Sequence, residues 1–172
     1  LDSVFKAPPP VAIAANSEDE GSSENGNSGD SDSGSNSNRP PVLSIADIGT
    51  KLEPLRVYFK GRTDMAPENE SLLAIAEFAE TAETYDTLKF YINAYADGRG
   101  DGVTNYQLSI ERAKSIRQIL MQTYGLPRER LILRPFGEAF PEFPDNTAEE
   151  RHKNRRVSFG IAPQDAQNNA LF

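Results

Sequence analysis

The sequence predicts an α/β sandwich of element order βαβαββ, a mixed sheet packed against two main helices. Three observations point there. Short runs alternate apolar and polar residues, two longer runs repeat apolar residues at helical spacing, and the helical runs fall between the first three strands. Connections of that kind lay helices across a sheet and leave one apolar face between them.

The first strand is read from Leu55, Val57 and Phe59, which alternate with Arg56 and Tyr58 as one buried face requires. The first helix follows. Pro67 and Glu68 suit its opening turn, and Leu72, Ile75, Ala76, Ala79 and Ala82 recur on one side, with Glu70 and Glu77 on the other. Leu88, Phe90, Ile92 and Ala94 then alternate with Lys89, Tyr91, Asn93 and Tyr95, giving a second strand expected at the centre of the sheet. It runs into the glycine-rich loop Asp97-Gly98-Arg99-Gly100-Asp101-Gly102. The second helix is expected from Thr104, with Gln107 completing a capping box, and it stops at Gly125 ahead of Pro127. Leu131–Leu133 and Val157–Ile161 supply the last two strands.

Outside this block the composition changes. From Asn16 to Asn38 every residue is Ser, Asn, Gly, Asp or Glu, so no apolar burial offsets the entropy of ordering the backbone. Residues 1–50 are therefore expected to be a disordered acidic tether, with Ala7–Pro10 and Arg39-Pro40-Pro41 as stiff polyproline spacers. Residues 51–162 form the folded domain and residues 163–172 a flexible tail. The chain starts at Leu1, which reads as a mature piece whose signal peptide, membrane anchor or barrel, if any, lies upstream.

Charge and composition exclude several functions. The net charge is −8, and residues 1–50 hold eight acids against Lys6 and Arg39, which leaves the folded part close to neutral. Nucleic acid is not an expected partner, because phosphate backbones call for a clustered cationic excess. Tyr91 and Tyr95 accordingly read as packed under a helix or loop and not as a base-stacking platform. With no cysteine there is no thiolate metal site or thiol nucleophile. Asp97-x-Arg99-x-Asp101 fails as a calcium loop, since Arg99 replaces a ligand and Leu108 stands where a bidentate glutamate belongs. Gly98-x-Gly100 lacks the third glycine of a dinucleotide fingerprint. His152, the single histidine, lies in a charged stretch and reads as a solvated loop imidazole. No nucleophile elbow is present, so neither an enzyme nor a cofactor or metal is expected.

One feature does call for a ligand. On the second helix Leu108, Ser109, Ala113, Ile116, Ile119 and Leu120 make the core stripe, and Asn105 and Arg112 fall in the middle of it. A buried guanidinium needs partners. Because helical side chains lean toward the N-terminus, Arg112 is expected to reach back toward Asn105 and the loop beginning at Asp97. Two readings stand: an internal Arg112–Asp97 ion pair stapling helix to loop, or a zwitterion site in which Arg112 holds a ligand anion and Asp97 an ammonium.

Four blocks then carry a resemblance: Asp97-x-x-Gly100, Asn105-x-x-Leu108-Ser109-x-x-Arg112-Ala113, Phe136-Gly137-Glu138-x-x-Pro141 and Asn154-Arg155-Arg156-Val157. In order and spacing they resemble the OmpA-like peptidoglycan-binding domains, across roughly Leu55 to Ile161. The resemblance implies a βαβαββ fold that binds peptidoglycan without covalent chemistry, gripping the diaminopimelate of the stem peptide. It further implies that Asp97 and Arg112 hold the ligand's charged ends, that Asn105 and Leu108 line the pocket and that Arg155 lies near it. A periplasmic, envelope-associated protein tethered to the Gram-negative wall is what such a domain implies. Two positions depart from the pattern: Ala96 stands where a hydroxyl is usual and Lys60 where an acid is. These departures favour an alternative, a structural protein–protein module of an envelope assembly that keeps the fold but not the ligand.

Overall fold

The computed structural model describes residues 43–163, so most of the expected tether and nearly all of the expected tail lie outside the described residues. The elements are α1 (Ile45–Leu52), β1 (Arg56–Tyr58), α2 (Leu72–Thr84), β2 (Phe90–Tyr95), α3 (Gly102–Tyr124), β3 (Leu131–Gly137), α4 (Ala148–Asn154) and β4 (Arg156–Ile161), with 3₁₀ turns at Asn69–Ser71 and Arg128–Arg130. The strands form one mixed sheet in the order β1-β4-β2-β3. β2 is interior, as expected, parallel to β3 and antiparallel to β4, while β4 also runs antiparallel to β1.

The core follows the predicted faces. Val57, Phe59, Phe90, Ile92 and Ala94 are buried against Ile75, Ala79, Ala113, Ile116 and Leu120 from the two long helices. Phe78 stacks on Phe159 at 4.0 Å between centroids and meets Phe90 edge-on at 5.3 Å. Leu72, assigned to this face from the sequence, is instead exposed, because α2 proper begins only there, after a 3₁₀ turn. Ser71 fixes that start: its Oγ accepts the Tyr58 amide at 2.8 Å and so ties α2 to β1.

Two helices were absent from the sequence reading. α1 moves the domain boundary upstream of residue 51, since Ile48 and Leu52, four residues apart, are both in the core. Ser44 and Asp47 cap each other's backbone amides at its start, at 3.2 and 3.1 Å, which is the local signal for it. α4 begins with the equivalent Thr147–Glu150 box. It lifts His152 out of the solvated loop expected for it: the imidazole is half-buried beside Tyr58, with Nε2 2.9 Å from Glu68 Oε1.

At the start of α3 the cap is Asp101, not Thr104. Its carboxylate accepts both the amide and the hydroxyl of Thr104, at 2.9 and 2.6 Å. The helix ends as expected at Gly125, whose left-handed backbone (φ 67°) turns its amide back onto Leu120 and Met121. β3 is longer than predicted and passes through Pro135 to Gly137, with the ladder shifting register at Ala94/Tyr95. Tyr95 stacks on Phe136 at 5.0 Å and carries the Arg156 guanidinium 3.8 Å above its ring, so it is engaged within the fold.

Candidate functional site

At its N-terminal half, α3 buries polar residues instead of apolar ones: Asn105, Ser109 and Arg112 are all inaccessible. Ser109 Oγ donates to Tyr106 O at 2.7 Å and accepts the Gly137 amide at 3.0 Å, which draws β3 onto the helix. Only glycine suits residue 137, where φ is 58° and a Cβ would stand 3.1 Å from the backbone of Tyr106.

Among the described residues Arg112 is the largest side chain wholly removed from solvent. Its guanidinium lies 4.9 Å from the Phe59 ring centroid and is received by four backbone carbonyls. Nη1 donates to Tyr95 O at 3.0 Å, Nη2 to Gly61 O at 3.2 Å and Arg62 O at 2.7 Å, and Nε to Asp64 O at 3.3 Å. Burial, and then the nearby Arg155 charge, lower its pKa to about 10, so it remains cationic at neutral pH.

This corrects the expected partnership. Arg112 makes no ion pair with Asp97; among the described residues Asp97 pairs with Arg155, at 2.8 Å, and Arg99, at 3.1 Å. A guanidinium offers five N–H groups spread over a plane, and a loop of carbonyls satisfies more of them than one carboxylate does. Neither charge is free or solvent-facing as the zwitterion reading supposed, since Asp97 is also buried.

Asp97 ends the run out of β2 with its carboxylate saturated. Oδ1 accepts the Arg99 amide at 3.1 Å, and Oδ2 accepts the Arg155 and Arg99 guanidiniums. Burial alone would raise its pKa, yet the hydrogen bonds from Arg99 and Arg155 together with the Arg99 charge outweigh that and hold it below the ordinary value. Arg155 also donates to Phe59 O at 3.1 Å and Lys60 O at 2.7 Å, binding the end of β1 to Asp97. It is the residue closing α4, just before β4.

The Asn154-Arg155-Arg156 run thus divides three tasks. Asn154 Oδ1 accepts the Glu142 and Phe143 amides at 3.0 and 3.1 Å, and its Nδ2 donates to Asp145 Oδ1 at 3.0 Å. Asp145 in turn accepts the Gly98 amide at 3.1 Å, linking this loop to that of Asp97. Arg156 covers Tyr95.

Asn105 completes the cluster: Oδ1 accepts Arg62 Nη2 at 3.2 Å, and Nδ2 donates to Glu138 Oε2. Leu108 is half-buried on α3 and belongs to no hydrogen-bonded part of the site. Of the predicted residues, then, Asp97, Asn105, Arg112 and Arg155 gather at one end of the sheet, while Arg62, Arg99, Glu138 and Asp145 were not assigned from the sequence. Glu138 stood within the Phe136-Gly137-Glu138 block, which was the available signal for it.

The cluster mixes guanidiniums, carboxylates and carbonyls at one loop junction, where Asp97 and Arg112 are satisfied by internal partners. Among the described residues no group of His, Cys, Asp or Glu side chains is arranged to hold a metal.

The OmpA family matches residues 57–155, more than half of the chain. Outer membrane porin F of Pseudomonas aeruginosa is 30% identical over 90 residues, which cover 52% of this chain and 26% of that protein. The chain therefore spans about a quarter of that relative's length. The C-terminal domain of Helicobacter pylori MotB superposes with a TM-score of 0.57 at 22% identity, covering 65% of this chain and 87% of that one. The peptidoglycan-associated lipoprotein of Burkholderia pseudomallei gives 0.57 at 19% identity, covering 62% and 89%. These two likenesses show the fold, and the sequence match over β1 to α4 shows that the chain belongs to the OmpA family.

Proposed function

We propose that this domain binds peptidoglycan non-covalently, through the diaminopimelate of the stem peptide, and tethers an envelope protein to the cell wall from the periplasm. The observation that carries the proposal is the buried cluster itself. Asp97, Arg155 and Arg112 occupy positions that could have been apolar core, and a charge network of this kind contributes little net stability over apolar packing. Family membership and the name of the peptidoglycan-associated relative support the same reading. Asp97 and Arg112 would take the two charged ends of the ligand, Asn105 and Leu108 would line its path and Arg155 would hold Asp97 in place. The chemistry is recognition alone, with no catalytic step, no cofactor and no metal.

The test is co-sedimentation with purified sacculi. Wild type should pellet with them, and Asp97→Asn and Arg112→Lys, each checked for folding by thermal denaturation, should remain in the supernatant. Full retention of both folded variants would defeat the proposed site.

A second reading is favoured by one specific observation: Asp97 and Arg112 are already satisfied by internal partners. A cluster that serves only to brace loops would suit a structural protein–protein module of an envelope assembly. Titration with free diaminopimelate separates the two, because a purely structural cluster gives no saturable signal.

A further inference from the structure

Arg62 lies in the loop between β1 and α2, and its side chain crosses to the loop that follows β2. Nε and Nη2 both donate to Arg99 O, at 3.1 and 2.8 Å, and Nη2 donates to Asn105 Oδ1 at 3.2 Å. Gly100 makes the room: its φ is 95°, and a Cβ there would overlap Arg62 Nη2. The Glu138 carboxylate lies one hydrogen bond further on, across Asn105. The half-buried guanidinium therefore rests among a carbonyl, an amide oxygen and, behind them, a carboxylate. None of these acceptors is particular to arginine, and an ammonium would satisfy them equally.

The backbone of the same loop holds Arg112, through the carbonyls of Gly61, Arg62 and Asp64. One short segment thus occupies both kinds of site at once, with a side-chain cation against the acceptors and main-chain oxygens against the buried donor. With four carbonyls engaged, at most one of the five N–H groups of Arg112 is left for a ligand.

We infer that Arg62 is the internal occupant of a cation subsite formed by Arg99 O, Asn105 Oδ1 and Glu138, and that the 61–64 loop is a strap which only a zwitterionic ligand displaces. The inference rests on the stem-peptide reading given above. A ligand ammonium replaces the Arg62 guanidinium on its acceptors. Its place thereby moves from Asp97 itself to the acceptors that the guanidinium leaves, while Asp97 stays paired with Arg99 and Arg155 and so holds the loop that presents Arg99 O. As the strap leaves, its carbonyls release Arg112 to a ligand carboxylate. Each exchange favours the other because side chain and carbonyls belong to one loop, so a molecule bearing a single type of charge meets the full cost of opening and recovers half of it.

The experiment compares wild type with Arg62→Ala and Arg62→Lys by calorimetric titration against three probes: diaminopimelate, pimelate, which lacks the amines, and pentane-1,5-diamine, which lacks the carboxylates. Arg62→Ala should bind diaminopimelate roughly three- to tenfold more tightly than wild type, because the competing hydrogen bonds are gone. Arg62→Lys should fall between. Pimelate should bind Arg62→Ala measurably and wild type not at all. Unchanged or weaker binding of diaminopimelate by Arg62→Ala would overturn the inference while leaving the stem-peptide reading intact. Hydrogen exchange without ligand supplies a readout independent of that reading. Amides of residues 61–65 and 98–102 should exchange faster in Arg62→Ala, and unchanged exchange would overturn the strap. If neither protein binds diaminopimelate, the stem-peptide reading fails and the assigned ligand with it.

Discussion

The two halves of α3 solve the same packing problem in opposite ways. Toward its C-terminus, Ala113, Ile116 and Leu120 bury apolar surface against the sheet and need only shape. Toward its N-terminus, Asn105, Ser109 and Arg112 are buried just as deeply and depend on named atoms at fixed distances. The first half tolerates exchange of one hydrocarbon for another. In the second, each removal breaks hydrogen bonds to specific partners, and at Ser109 the partner left behind, the Gly137 amide, is itself buried.

The largest test of that contrast sets Arg112→Met against Leu120→Met. Both keep a long side chain in a fully buried site. Leu120→Met should cost under about 1.5 kcal/mol, as volume-conserving core exchanges do, whereas Arg112→Met leaves four carbonyls without their donor, at about 1–3 kcal/mol for each that water does not reach, and should cost at least about 3 kcal/mol by chemical denaturation. Equal losses would show that the polar half is packed like the apolar one.

A smaller effect is expected at Asp97. Asp97→Asn should lower stability by about 2 kcal/mol at neutral pH, since two ion pairs with Arg99 and Arg155 become bonds from guanidiniums to an uncharged amide oxygen. The sign of its pH dependence follows from the lowered carboxyl pKa. The wild-type advantage is complete above the ordinary value of 3.8 and disappears as pH falls through the lower folded value. Denaturation curves of the two proteins should therefore converge in acid; a gap that stays constant would detach Asp97's contribution from its charge. Within the polar half the smallest loss is expected from Ser109→Ala, which leaves the Gly137 amide without its acceptor and should cost about 1–2 kcal/mol.

The same contrast explains what could be read from the sequence. Phe90, Ile92 and Ala94 announced β2 because alternation depends only on neighbours, and the buried phase of Asn105 and Arg112 was visible for the same reason. The receivers of Arg112 were not visible: they are main-chain oxygens, three of them about fifty positions upstream, and a carbonyl leaves no trace in residue identity. Arg62 is likewise an ordinary loop arginine by sequence, and only the space above Gly100 singles it out. α4 was hidden because Ala148–Asn154 carries almost no apolar residue, so its helix rests on a capping box and on Asn154 and not on a stripe. α1 was hidden by its brevity beside a long polar tract.

The sheet's outer strands carry a further consequence, for behaviour at high local concentration. β1 spans three residues and bears Arg56, and β3 includes Pro135, which has no amide hydrogen to offer a newcomer. Both margins are poor templates for intermolecular strand addition, so copies crowded together are guarded against coalescing edge to edge into aggregates.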